Sequence, residues 1–189
     1  GLPLPEYVAE KGGRGGRINN DHFKEALQWV DEECEERLGN KFYHRDGANF
    51  FLDKKKMEKE NVKPEYIYEI VGQYLKNVEG INEIVIKDSI LKSVNEDKIT
   101  VRIKNMINIQ KTTEIFPIVT HGYLYRSPYG TSHGSPYDYD SHVPLIFSRT
   151  QFRSKTQDVY QATVNIAPTI AKYLGVEIPS YCDGVPIDL

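Results

Sequence analysis

From Asn20 the apolar positions Phe23, Ala26, Leu27, Val30, Cys34 and Leu38 recur at steps of three and four, and Gly39 follows the last of them. That is the period of one helix face, so a helix is expected here, capped by Asn20 or Asp21. Cys34 falls on the apolar stripe and is expected as a packed thiol. Between residues 42 and 52 two short aromatic runs flank Asp46-Gly47, a dipeptide that favours a hairpin turn, with His44 decorating the hairpin. Lys63-Pro64 opens a second helix through Ile67, Ile70, Val71, Tyr74 and Leu75. Strands are expected over 83–87, 99–103, 114–119 and 143–147, and a last helix from about 161 to Leu174, stopped by Gly175.

The first residues have a different texture. Leu2-Pro3-Leu4-Pro5 and the run Lys11-Gly-Gly-Arg-Gly-Gly-Arg17 hold too much proline and glycine for a helix or a central strand. They predict a connection arriving from elsewhere. The glycine run lacks the strand, lysine and helix order of a P-loop, and it lacks the dinucleotide-binding spacing, so it is expected as a linker or tight turn. Lys54-Lys55-Lys56 beside Glu58 and Glu60 is expected as a solvated face.

Composition narrows the classes. The 189 residues are 39% hydrophobic and 27% charged, enough for a soluble globular domain with a core of its own. A net charge of -3 with both signs interspersed offers no stripe for a nucleic-acid polymer and no polybasic membrane patch. No apolar run approaches the roughly 18 to 20 residues of a membrane span, and residues 1–16 lack the apolar centre of a signal peptide. The two cysteines, Cys34 and Cys182, form no CxxC pair, which argues against a structural cysteine zinc site and leaves a single disulfide open.

Chemistry concentrates in one segment, Gly130-Thr-Ser-His-Gly-Ser-Pro-Tyr-Asp-Tyr-Asp-Ser-His142. Gly130-Thr131-Ser132-His133-Gly134 formally matches the Gly-x-Ser-x-Gly nucleophile elbow. An elbow needs a helix directly after its serine, which Gly134 and Pro136 oppose, and no histidine follows His142 to complete the usual order. The alternative makes His133 a metal ligand, an imidazole on a glycine-flanked loop where neighbouring side chains leave room for a cation. A catalytic zinc takes about three protein ligands, and no His-x-x-x-His or His-Glu-x-x-His spacing occurs here, so the other ligands would lie elsewhere in the protein. A loop histidine bonded only to backbone is the plain alternative.

Taken together, Gly130 to Phe147, then Ile166-Ala-Pro-Thr-Ile-Ala171, Leu174-Gly175, Ile178-Pro179 and Asp183-Gly184 closely resemble the C-terminal end of the alkaline phosphatase superfamily. The nearest group is the PafA-like phosphatases and type I phosphodiesterase/nucleotide pyrophosphatases. The resemblance covers about residues 120–189 and is weaker at Pro5-Glu-Tyr-Val8. It implies a parallel-sheet α/β sandwich with two zinc ions, in which the histidine of the Thr-x-His-Gly-Ser-Pro-Tyr motif, here His133, resembles a ligand to one of them. The family's nucleophilic threonine or serine and its other metal ligands precede an Asp-His-Gly motif that would lie just upstream of Gly1. On that resemblance this chain carries one metal ligand of about six or seven and no catalytic nucleophile. The implied mechanism is in-line attack on phosphorus by a threonine alkoxide, then attack of water on the phosphoenzyme, with the metals stabilising attacking and leaving oxygens. The chain departs from the family at Asn165, where aspartate is usual, and at Ser148-Arg149, where a glycine is common; Asn165 is still expected to cap its helix.

Other residues have quieter expectations. Asp138 and Asp140 alternate like a metal-binding pair, but loop aspartates more often bond nearby backbone. His142 opens the expected strand and either orients the loop or packs. His22 and His121 lack a supporting constellation, and Trp29 is expected in the core or a domain interface. Arg126 and Tyr137 flank the loop and could face a phosphate, although a surface ion pair is the commoner fate of such an arginine.

The resulting expectation is an α/β fold: the C-terminal portion of an alkaline phosphatase-like sandwich with an inserted α+β subdomain. Residues 1–17 would connect from an upstream part, 18–115 form the insertion and 116–189 return to the core. The resemblance implies a zinc-dependent hydrolase of phosphoric esters, periplasmic or secreted. Its substrate would be a small phosphate ester or nucleotide, and this chain alone would be inactive. The competing readings are a non-catalytic binding module reusing this fold piece and a serine hydrolase built on Ser132.

Overall fold

The computed structural model describes residues 4–125, 129–150 and 152–189. They divide into two compact units, Gly1–Val143 and Pro144–Leu189.

Helix α1 (Pro5–Glu10) stands where the sequence predicts an irregular connection. Pro5 occupies the first turn, where a missing N–H costs nothing and the fixed φ already suits the helix. The glycine run after it is no free linker: Gly16–Arg17 form β1, which pairs in parallel with β6 (Tyr123–Leu124). The Gly16 N–H donates to the Gly122 carbonyl at 3.1 Å and the Ile18 N–H to the Leu124 carbonyl at 2.9 Å. A Cβ at Gly15 would strike the Gly122 carbonyl, and one at Gly16 the Tyr123 ring, so the glycines permit the two backbones to approach.

Helix α2 (Asn20–Leu38) follows the expected stripe, with Ala26, Leu27, Val30 and Cys34 buried. Its cap is Asn19, one residue earlier than expected, whose side chain accepts the N–H groups of Asp21 and His22. The hairpin of β2 (Tyr43–Asp46) and β3 (Asn49–Leu52) turns at Gly47, whose φ of 58° only glycine adopts freely. His44 stacks on Phe51 there, centroids 4.8 Å apart. The lysine cluster forms α3 (Lys54–Lys59), capped by Asp53, exposing its charges while Met57 is buried. Then come α4 (Pro64–Leu75), β4 (Ile81–Ile86), α5 (Lys87–Lys92), α6 (Lys98–Met106) and β5 (Ile115–Val119).

Helix α6 corrects the strand expected over 99–103. Ile99-Thr-Val-Arg-Ile103 alternates in polarity and is rich in β-branched residues, which favours a strand locally. The Asp97 carboxylate instead accepts the N–H groups of Ile99 and Thr100 and starts a helix, and the buried positions, Thr100 and Ile103, fall three apart on one helix face.

The four-stranded sheet runs β2-β3-β5-β4, every neighbour antiparallel. Arg45 lies opposite Phe50, and Phe50 opposite Ile115, so one face carries Tyr43, Arg45, Phe50 and Ile115. Asp31 of α2 ties the helix to this face, accepting from Tyr43 Oη, from Arg45 at 2.7 Å and from Lys41 at 3.2 Å. With α2 and α4 packed together, the core gathers Val30, Cys34, Phe50, Ile67, Ile70 and Ile115. Buried in the same unit, Lys87 donates to the Ile109 and Thr112 carbonyls and to Glu114.

In the second unit a 3₁₀ turn (Thr163–Asn165) leads into α8 (Ile166–Leu174), shorter than expected, and Gly175 ends it at a φ of 67°. Asn165 does not cap the helix. It is buried, donates to Gln161, and accepts the Val185 N–H at 3.0 Å, while Thr169 Oγ1 accepts the Ile187 N–H at 2.9 Å. A side chain at Gly184 would collide with the Val164 carbonyl, so the terminal strap lies directly on the helix start. The strand expected over 143–147 is absent among the described residues. A strand exists only through a neighbour that completes its hydrogen bonds, and none pairs with it here. Its residues stay open, with Ile146 79% exposed, and so do Ile170 and Leu174 of α8.

Candidate functional site

The loop from Gly130 to Tyr137 begins in the left-handed region at Gly130 (φ 87°) and returns to it at Gly134 (φ 99°), so glycines bracket His133. No helix follows Ser132: the next one, α7 (Asp138–Ser141), starts six residues later, which removes the nucleophile-elbow reading.

Three sets of contacts fix the loop. Arg17 Nη1 donates to the Gly130 carbonyl at 2.9 Å, while the same guanidinium pairs with Glu6. Arg102 of α6 donates to the Pro136 carbonyl at 2.8 Å and to Asp138 at 2.7 Å, and Lys98 joins Asp138 at 2.9 Å. These two cations hold the Asp138 carboxyl below its ordinary range, Lys98 first and then Arg102. Finally, Asp140 Oδ2 accepts the Ser135 N–H at 2.9 Å and the Ser135 hydroxyl at 2.6 Å.

Tyr137 is buried rather than turned toward a ligand, and its hydroxyl donates to the Val119 carbonyl at 2.8 Å, pinning the loop to the end of β5. Burial comes first among the causes that raise its phenol. His121 stands exposed, edge-on to Tyr137 and Tyr139 at 5.0 Å from each ring. His142 closes α7 as an exposed residue, and His22 is exposed as well. Trp29 is 49% exposed, edge-on to Tyr74, and so lies at the surface of the unit. Arg126 lies outside the described residues.

His133 is exposed at the mouth of a hollow that it lines with Ser132, Ser135, Tyr139 and Asp140. Among the described residues no group of three or more histidine, cysteine or carboxylate side chains gathers as a metal centre. Cys34 and Cys182 are both free thiols. Toward this hollow the chain presents the His133 imidazole, and Asp140, which also lines it, has a buried oxygen, Oδ1, without a hydrogen-bond partner. That donor set fits one ligand of a larger site. The anchors Arg17 and Arg102 were not legible as such: the first lay in an expected linker, the second in an expected strand.

No family model matches the chain. It is 25% identical over 187 residues to a calcium-transporting ATPase of Myroides odoratus, covering 97% of this chain and 34% of that protein. It is 28% identical over 138 residues to alkaline phosphatase PafA of Elizabethkingia meningoseptica, covering 72% of this chain and 25% of that protein. Crystal structures of alkaline phosphatase PafA, wild type and a multiply substituted variant, superpose on it with a TM-score of 0.79 over 98% of this chain and 35% of theirs, at 22% and 21% identity. The fold is therefore α/β and matches the C-terminal third of PafA, and together with the 28% identity to that phosphatase this bears out the resemblance to the alkaline phosphatase superfamily. The chain spans a quarter to a third of the length of the curated relatives it matches.

Proposed function

We propose that the protein containing this chain is a zinc-dependent hydrolase of phosphoric esters, acting on a phosphomonoester, or on a phosphodiester or nucleotide pyrophosphate, and that His133 is one of its metal ligands. The observation that carries this reading is the likeness to alkaline phosphatase PafA over 98% of the chain, at a TM-score of 0.79. Bound zinc would supply Lewis acidity at phosphoryl and attacking oxygens.

This chain's own contribution is to hold and orient. The His133 imidazole presents a nitrogen lone pair on a loop fixed by Arg17, by Arg102 and by the pairing of Ser135 with Asp140, so little reorganisation accompanies metal binding. The nucleophile and the remaining ligands are assigned to the rest of the protein, as is the surface covering Ile146, Ile170 and Leu174, whose exposure suits burial against missing structure. Residues 18–115 are assigned to an insertion and 116–189 to the core. A periplasmic or secreted location is proposed on the same resemblance.

The test is hydrolysis of p-nitrophenyl phosphate and of its bis-ester by the full-length protein, its His133→Ala variant and the 189-residue chain. Activity confined to the full-length wild type, with the variant at least about 100-fold slower, is expected for loss of a metal ligand. Undiminished turnover in the variant would remove His133 from the site.

A further inference from the structure

Asp140 is only half satisfied. Its Oδ2 accepts both the N–H and the hydroxyl of Ser135, whereas Oδ1 is shielded from solvent and accepts no hydrogen bond. A buried carboxylate oxygen without a donor is costly and calls for one. Asp140 and His133 line the same hollow, and Ser135, the residue bracing the carboxylate, is two positions along the loop from that histidine.

We infer that Asp140 is the positioning residue for His133, with Oδ1 accepting the N–H of the imidazole nitrogen that does not face the metal. This rests on the reading of His133 as a ligand. A carboxylate on the far nitrogen fixes the tautomer, stops the ring from turning and makes the coordinating nitrogen more basic. The doubled bond to Ser135 then serves to aim the free oxygen, and α7, which carries Asp140, becomes the support of the ligand rather than a source of ligands.

The decisive variant is Asp140→Asn in the full-length protein. An amide keeps one acceptor for both Ser135 donors but replaces the free oxygen with an NH₂ group that cannot accept. Zinc affinity, measured by chelator competition, should fall about 10- to 100-fold. In zinc-loaded protein with 15N-labelled histidine, the slowly exchanging His133 ring N–H of the wild type should become fast. Unchanged affinity in Asp140→Asn, with zinc lost in His133→Ala, would overturn this inference and leave the ligand intact; zinc retained in His133→Ala would overturn both. Should Asp140→Asn fail to fold, the wild-type spectrum decides: a protected ring N–H supports the pairing and a freely exchanging one refutes it.

Discussion

The Arg17 guanidinium donates to the Gly130 carbonyl across 113 positions of sequence, at 2.9 Å, and so links the glycine-rich start of the chain to the loop that carries His133. Arg17 is held in turn by Glu6 of α1, which lowers the Glu6 carboxyl chiefly through that hydrogen bond. Removing the guanidinium with Arg17→Ala should loosen Gly130 without unfolding the sheet. The expected readout is faster amide exchange over 130–135 with protection of β4 and β5 unchanged; equal protection in the loop would show that the glycines alone define it.

Lys87 and Glu114 form a buried pair at 3.3 Å, and Glu114 also accepts the Leu52 N–H and meets Lys54. Lys87→Met leaves the carboxylate without its buried partner and should destabilise the unit by about 3 to 5 kcal/mol in denaturant titration.

Acid should weaken the same region. Burial pushes the Glu114 carboxyl up, but the Leu52 N–H and the Lys54 and Lys87 ammoniums outweigh it, and the group sits below its ordinary value of 4.5. For Asp31, burial is likewise outweighed by Arg45, Tyr43 and Lys41, and its carboxyl lies below 3.8. A carboxyl lower in the folded state stabilises fully above its unfolded value and loses that contribution as pH falls through the folded one. Stability should therefore decline below pH 4.5, and Glu114→Gln should flatten the decline; an unchanged pH slope in that variant would contradict the pairing.

The two thiols should differ sharply. Cys34 is fully buried and burial pushes its thiol up to about 11, whereas Cys182 is half-buried. Ellman's reagent at pH 8 should label Cys182 in the native chain and reach Cys34 only after denaturation, since the thiolate is the reacting form. Rapid labelling of both would show that α2 does not pack as described.

In the second unit, Asn165→Ala removes the acceptor of the Val185 N–H and the donor to Gln161. The cost should be about 1 to 3 kcal/mol, and the strap from Gly184 to Ile187 should lose protection while α8 keeps its own. Concerted loss of protection in both would mean that strap and helix form one cooperative piece.

How far the sequence discloses this fold depends on whether its signals are local. The α2 stripe, the Asp46-Gly47 hairpin and the start at Pro64 state their structures locally, and each is found within a residue or two. Residues 99–103 mislead because β-branched alternation is outweighed by the Asp97 cap. The segment 143–147 reads as a strand, yet a strand needs a partner, and none pairs with it among the described residues. The composition of the loop pointed to His133, and the bond of Asp140 to the nearby Ser135 N–H follows the ordinary behaviour of loop aspartates, but the distant supports did not show: Arg17 and Arg102 reach the loop through contacts that no spacing rule encodes.

The proposed binding of metal by His133 within a larger phosphoester hydrolase is tested most simply by zinc content. Full-length protein and its His133→Ala variant, purified alike and dialysed against the same zinc buffer, are compared by elemental analysis. Two zinc ions per wild-type molecule, with one lost or weakly held in the variant, is the predicted result. Equal zinc in the two proteins would mean that His133 is not a ligand.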